Sequence, residues 1–363
     1  MNLHVVTNDD QISVMYPGVI CQRCVLPDSF PDISFDAAGV CSYCRDERER
    51  VEVGKSAIDS AIGDAMRTAD PQRAYDCLLL YSGGKDSSLA LALATREYGL
   101  RVLAFTLDNG FLSERTGPNM RRVLDSVGAD HMVFRPPRQL MRALYRTSVD
   151  TDFGPGTTKY STAGCGSCIS LVLATGTRVA AAHGIPLLLG GWTPGQFTNS
   201  PVVPSAFLSD VVRRHFDSLA KSSAPLGEDL APWRTQTLRP LPVGLINPLY
   251  GTAYSEAAAL AQLAHMGWQR PTDTDSCSTN CRLNGLLVLD HIKRFRYHPY
   301  VYELSHHVRI GAMGREEALQ KMRQVRVSAS QVAQVAAELG VPTPVEPAGE
   351  QRVGQPETDR PAK

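Results

Sequence analysis

The strongest constraint in this chain of 363 residues is the hexapeptide Ser82-Gly83-Gly84-Lys85-Asp86-Ser87. It follows a short apolar run, residues 77–81, and opens an Ala/Leu-rich segment, 87–98, that Gly99 stops. A buried parallel strand, a glycine turn and a helix are the expected reading. Two glycines allow close backbone approach to a ligand. The helix start offers free N–H groups and a partial positive charge, to which Ser82, Ser87 and Ser88 add hydroxyl donors. Lys85 adds a point charge suited to phosphate. Asp86 in such a cradle suggests Mg²⁺ bridging phosphates, or a cap on the following helix. The spacing is neither GxxxxGK[ST] nor GxGxxG.

The same alternation continues. Strands are expected at 102–107, 131–134 and 186–189, and helices at 118–127 and 167–183. Alternating strands and helices imply right-handed crossovers and a doubly wound parallel α/β sheet. Its ligands bind at the carboxyl ends of the strands. The expected organisation is an N-terminal ribbon region (1–60), a nucleotide-binding domain (73–204), a helical substrate or lid region (205–340) and a disordered tail (341–363). Residues 1–20 show no clear period, and 328–339 reads as one more amphipathic helix.

Here the sequence resembles the PP-loop ATP pyrophosphatases, whose signature is SGGxDS after the first strand. The resemblance covers about 75–200. It implies a Rossmann-like fold and cleavage of ATP between the α- and β-phosphates. A carbonyl oxygen is adenylated and a nucleophile then displaces AMP. By position, Ser82, Gly83, Gly84, Asp86 and Ser87 would hold the pyrophosphate, with Lys85 and Ser88 beside them. Thr106 to Asn109, including Asp108, would meet the adenosine, and Gly190 and Gly191 would line the same cleft. Members acting on tRNA often place an acidic pair after this Gly turn; here the text is Trp192-Thr-Pro-Gly-Gln196.

Nine cysteines are present, and eight form four close pairs. The N-terminus shows no export signal, so a reducing cytoplasm is expected, where paired thiols bind metal or do redox work. Cys77 lies within the apolar run and reads as core. Cys21/Cys24 and Cys41/Cys44 fit a four-thiolate Zn²⁺ knuckle. The segment 21–44, with Tyr75-Asp-Cys-Leu, also resembles N-acetyl sugar amidotransferases over about 21–130. Cys165/Cys168 and Cys277/Cys281 resemble the layout of tRNA thiolation enzymes in which three thiolates bind a [4Fe–4S] cluster. The fourth cysteine departs from that layout, so either Cys277 or Cys281 is not a ligand, or all four close a second zinc site. A helix N-terminus would lower the thiol pKa and favour a working thiolate at Cys165 or Cys168.

Two functions follow as expectations. One is sulfur transfer, with Lys85, Asp86, Cys165, Cys168 and Cys277 as catalytic residues, a sulfur donor as partner, and a tRNA, sugar or small-molecule acceptor. The other is amide formation with ammonia from a partner glutaminase. The balance of 37 basic against 37 acidic residues excludes a strongly basic nucleic-acid coat or an acidic solvating chain. It leaves room for a local basic face at Arg121, Arg122, Arg135, Arg138, Arg142 and Arg146, or for a merely solvated surface. No run of 18 apolar residues suggests a membrane span. His298, Tyr300, Glu303, His306 and His307, near Arg294, Arg296 and Arg309, read either as a substrate-binding patch or as an exposed helix face. A homodimer is compatible with all of this.

Overall fold

The computed structural model describes residues 4–8, 10–16, 18–46, 54–153, 159–196, 200–234 and 244–345. Its main sheet has six strands in the order β5-β4-β3-β6-β8-β7. These are β3 (Cys77–Leu80), β4 (Val102–Leu107), β5 (Asp130–Phe134), β6 (Leu188–Leu189), β7 (Val202–Val203) and β8 (Leu245–Ile246). All pairings are parallel except β7 with β8. The chain runs outward from β3 to β4 and β5, then returns to the other side of β3 for β6. Strand order therefore reverses at β3, and the crevice at its carboxyl end is where such sheets bind ligands.

Both faces of the sheet are covered, which is why its strands lack polar alternation. Leu78, Leu80, Leu103, Phe105 and Leu188 point into a core shared with helices Ala163–Ala182 and Ser205–Ser222. Cys77, Leu79, Tyr81, Val102, Ala104 and Leu189 point into a second core with helices Lys55–Thr68, Lys85–Ala92, Thr116–Val127 and Glu256–His265. Cys77 is fully buried, and burial pushes its thiol up.

The sheet does not end at 204, because β8 adds a parallel strand. The region after 205, expected to be mainly helical, also carries β8, whose two residues are too few to leave a period in the sequence. The N-terminus is also structured: β1 (His4–Asn8), β2 (Gln11–Met15) and β9 (Gln324–Ser328) form an antiparallel sheet. Ile12 and Val14 of β2 alternate into the first core. The cysteine ribbon packs Val25, Leu26 and Phe30 against Tyr297, Val301, Tyr302 and Leu319 of the C-terminal helices. Of the expected disordered tail, residues 346–363 lie outside the described residues, while Val345 is buried.

Helix Ala163–Ala182 is long and apolar enough by composition to cross a membrane. Its Leu171, Leu173 and Ala174 are fully buried in the core beside the sheet, as in a central helix of an α/β fold.

Candidate functional site

The glycine loop sits where β3 ends. Gly83 adopts φ +74°, and a side chain there would strike Met120 and Thr116 of the neighbouring helix at 2.7–2.9 Å. Trp268 Nε1 donates to the Gly83 carbonyl at 3.1 Å. The Ser82 N–H donates to Ser87 Oγ at 3.2 Å, and the two hydroxyls lie 3.0 Å apart. Ser88 is buried beside the Tyr81 hydroxyl at 3.3 Å. Ser82 itself is exposed at the mouth. The loop is thus fixed from behind and open in front, as a phosphate cradle requires.

Helix Lys85–Ala92 begins inside the motif. Lys85 is buried, and its Nζ donates to Asp86 Oδ2 at 2.7 Å. Tyr254 OH donates to Asp86 Oδ1 at 2.6 Å. Burial alone would pull the Lys85 ammonium down, but Asp86, Tyr254, Glu256 and Glu303 hold it well above its ordinary value. Gly191, after β6, packs against the loop: a Cβ there would lie 2.4 Å from Ser87 Cα, and one at Gly190 would meet Trp192 and Asn247. We therefore expect Gly191→Ala to displace the loop and weaken ATP binding by about tenfold, with a lowered melting temperature. Unchanged ATP affinity by calorimetry would count against this packing role.

A doubly wound sheet, an SGGKDS cradle after the strand where its order reverses, and a second glycine turn against that cradle now stand together. This is a doubly wound α/β fold with a glycine cradle where its strand order reverses, the arrangement that the resemblance to the PP-loop ATP pyrophosphatases implies.

Other residues expected at the PP-loop cleft fall into two groups. Thr106 Oγ1 bonds to the Tyr81 carbonyl at 2.6 Å and to His131 Nε2 at 2.8 Å, so its hydroxyl ties β4 to its neighbours. Asp108 accepts from Gly110 N at 2.9 Å and pairs with Arg135. Of the other arginines considered for a basic face, Arg122 and Arg146 donate to the Gly267 and Leu339 carbonyls.

The segment 275–281 crosses the PP-loop as a strap. Thr279 Oγ1 accepts the Lys85 N–H at 2.9 Å, and Ser113 N donates to the Asn280 carbonyl at 2.9 Å. The strap separates its two cysteines. Cys281 pairs with Leu112 in a β-bridge and accepts from Asn109 Nδ2 at 3.4 Å. Asn109 also bonds Cys168, and the charges of Cys165, Cys168 and Cys281 act on one another. Cys165 Sγ donates to Asn284 Oδ1 at 3.1 Å, and Asn284 Nδ2 donates to buried Asp275 at 2.8 Å. Cys277 shares Asp275 with Cys165 and Cys281, and also lies near Glu303 and Lys321.

Cys165 and Cys168 lie in the first two turns of helix Ala163–Ala182, whose N-cap Thr162 accepts from Cys165 N at 3.1 Å. The helix start was expected to lower their pKa. Burial wins instead: it pushes Cys165 up, and Cys168 up to about 11. Without a cation these thiols stay protonated, because no opposite charge offsets the lost hydration.

The N-terminal quartet is tighter. Cys21, Cys24, Cys41 and Cys44 place their sulfurs within 4.8 Å of one another. Cys21–Cys44 and Cys24–Cys41 are 3.8 Å and 3.7 Å apart. Those are the edges of a tetrahedron with metal–sulfur bonds of about 2.3 Å. Backbone N–H groups of Cys24 and Cys41 donate to Cys21 Sγ. Hydrogen bonding from Cys24 holds Cys21 and Cys41 low and leaves the Cys24 thiol raised. Only a cation lets all four ionise together, so the set fits a metal ion.

Three residue groups were not singled out as site residues from sequence. Tyr254 reaches Asp86, and Trp268 and Thr279 hold the PP-loop; Tyr254 and Trp268 have no motif around them, and Thr279 lies between two cysteines that drew the attention instead. Glu256 lies between Lys321 and Arg270. Burial raises it, but Lys85, Lys321 and Arg270 bring it down to about 2. The patch at 298–307 is not an exposed face: His298, His306 and His307 are buried, and half-buried Glu303 accepts from Thr193 Oγ1 at 2.8 Å.

No protein-family model matches the chain. An uncharacterized protein of Methanocaldococcus jannaschii is 21% identical over 253 residues, 70% of this chain and 74% of that protein. Among solved structures, the U34-tRNA thiolase NcsA from Methanococcus maripaludis with its [4Fe-4S] cluster aligns over 94% of each chain, at 15% identity and a TM-score of 0.35. The NMN synthetase from Francisella tularensis aligns over 52% of this chain and 97% of its own, at 13% identity and a TM-score of 0.29. A predicted subunit of tRNA methyltransferase from Methanocaldococcus jannaschii aligns over 52% and 74%, at 16% identity and a TM-score of 0.30. Likeness at this level assigns no activity, so the chemistry rests on the residues themselves.

Proposed function

We propose that the chain is an ATP-dependent adenylating transferase that inserts sulfur into an activated carbonyl of its acceptor. The observation that carries this reading is the strap. It seats Thr279 on the PP-loop and, two residues later, brings Cys281 to Cys168 through Asn109. A thiol two residues from a contact on the glycine loop supports a joint site.

The cradle's part is positioning and charge neutralisation. Ser82, Ser87 and the loop N–H groups would hold the phosphates, Lys85 would offset their charge, and Asp86 would hold Mg²⁺. The acceptor's carbonyl oxygen attacks the α-phosphorus and pyrophosphate leaves. Hydrosulfide then displaces AMP and leaves a thiocarbonyl.

Cys165, Cys168 and Cys281 would hold a [4Fe–4S] cluster, which when bound supplies an iron free of protein ligands to carry sulfur. The support is that Asn109 bonds both Cys168 and Cys281 and that Cys165 lies within electrostatic reach of both. Cys277, beside Glu303 and Lys321, is left out of this set. Zinc is assigned to Cys21, Cys24, Cys41 and Cys44. The amidotransferase alternative, in which all four later cysteines close one zinc site, gains no support from this arrangement.

The test is an anaerobic spectrum with iron, sulfide and zinc analysis, joined to a pyrophosphate-release assay. Unfractionated tRNA, N-acetylated nucleotide sugars and a dialysed metabolite pool serve as acceptors, with sodium sulfide or ammonium as nucleophile. We expect AMP and pyrophosphate in equal amounts and greater turnover with sulfide. Release of ADP and phosphate alone would overturn the adenylation, and a preference for ammonium would overturn the sulfur transfer.

A further inference from the structure

Lysine is rarely buried unless something holds its charge. Lys159 nonetheless exposes only 13% of its side chain. Its ammonium lies over three rings, 5.3 Å from the Phe30 centroid, 5.5 Å from Tyr43 and 5.8 Å from Tyr160. Two of those rings belong to the cysteine ribbon: Phe30 lies between Cys24 and Cys41, and Tyr43 between Cys41 and Cys44. The rings brace one another. Phe30 meets Tyr43 edge-on at 5.7 Å, and Tyr302 packs on Phe30, Tyr43 and Tyr160 at 6.0, 5.8 and 4.7 Å. Lys159 also pairs with Asp32 at 3.3 Å, but that carboxylate is 86% exposed, so water screens the pair. The rings rather than the acid therefore hold the ammonium, since a cation gains most over aromatic faces where water is excluded.

Lys159 stands at the entry to the helix that carries Cys165 and Cys168. Three positions on, Thr162 is buried and caps helix Ala163–Ala182: its Oγ1 accepts from Cys165 N at 3.1 Å and its carbonyl from Gly166 N at 2.9 Å. Thr162 is extended, with φ −71° and ψ 152°, so the chain enters the helix from outside and what precedes the cap sets its angle of entry. Helix ends fray unless they are tied down. Two ligands in the first two turns keep a fixed spacing only where that fraying is suppressed.

We propose that Lys159 is a positioning residue for Cys165 and Cys168: the aromatic box of the ribbon grips it and so ties the start of their helix to the N-terminal quartet. The proposal rests on the reading of these thiols as cluster ligands and adds what the ribbon does for them. Phe30 and Tyr43 are placed by the fold of the quartet, and they reach a lysine more than 110 residues further along the chain.

The experiment uses the zinc-bound full chain. Hydrogen exchange of amides 160–168 is measured before iron is added. Iron and sulfide are then supplied anaerobically, and the decay of the cluster's visible absorbance in air is followed. Zinc content and the melting temperature are recorded for every variant. Lys159→Gln keeps much of the length, removes the charge and leaves a polar group with no reason to enter the box. We expect it to keep its zinc and a melting temperature close to that of the wild type, while exchange at 160–168 and decay of the cluster each become about tenfold faster. Lys159→Arg, which returns a cation to the rings, should restore most of both. Asp32→Asn should change neither, because its carboxylate is exposed. Wild-type exchange at 160–168 in Lys159→Gln overturns the proposal. Loss of zinc in parallel also overturns it, since Lys159 would then belong to the fold of the ribbon alone. A wild-type protein that takes up no cluster overturns the cluster reading, and the exchange comparison still decides the role of Lys159.

Discussion

Asp86→Asn is expected to abolish pyrophosphate–ATP exchange, by about 1,000-fold or more, while leaving the protein folded. The carboxylate lies between Lys85 Nζ at 2.7 Å and Tyr254 OH at 2.6 Å, at the front of the PP-loop. The amide matches its shape, so packing survives. It carries no charge, so Mg²⁺ loses its anchor and Lys85 loses the first of the acids that hold it protonated in a buried setting. Nδ2 only donates, so it can face Tyr254 OH, which then accepts, but not Lys85 Nζ. The comparison to make is exchange against the circular-dichroism melting curve. Retained exchange would remove Asp86 from the reaction, and parallel loss of fold would make its role structural.

The second large effect is expected at the ribbon. Cys44→Ser, or Cys21→Ser, should release one equivalent of zinc and lower the stability of the whole chain by several kcal/mol, seen as poor soluble yield and a broadened thermal transition. The reason is where the ribbon sits. Cys21, Cys24 and Cys41 are fully buried, and Phe30 stacks on Tyr302 at 6.0 Å and meets Tyr297 edge-on at 5.3 Å. Arg315 also donates to the Cys21 and Cys24 carbonyls at 2.9 Å. Losing the metal leaves unpaired thiolates or thiols in this core and frees the wall against which the C-terminal helices pack. Chelation of the wild-type protein should reproduce the effect. A zinc-free Cys21→Ser protein with an unchanged melting curve would show that the quartet is not structural.

What the sequence determined by itself is what local physics controls. The apolar run 77–81, the glycine turn and the following helix are contiguous, so strand, cradle and helix start were legible together. The parallel sheet was legible from its alternating elements, and the ribbon from a spacing that only a short chelating loop satisfies. Boundaries moved by a turn where caps decide them: Thr162 starts its helix before Cys165, and Lys85 starts another inside the motif. Residues 1–20 show no clear period in the sequence, because the hairpin strands are five residues each and their partner β9 lies over 300 residues away.

Tertiary structure alone decided the rest. It brings Cys281 to Cys168 through Asn109, while Cys277 lies by Asp275, Glu303 and Lys321. It also reversed the expected acidity of Cys165 and Cys168, since desolvation is set by what packs around a helix start and outweighs the dipole there. The histidines and Glu303 of 298–307 looked like a polar surface in one dimension. In the fold the histidines are buried and Glu303 accepts a bond from Thr193, which follows β6. Tyr254, Trp268 and Glu256 reach the PP-loop from more than 150 residues away, and contacts closed by the fold leave no spacing in the chain to announce them.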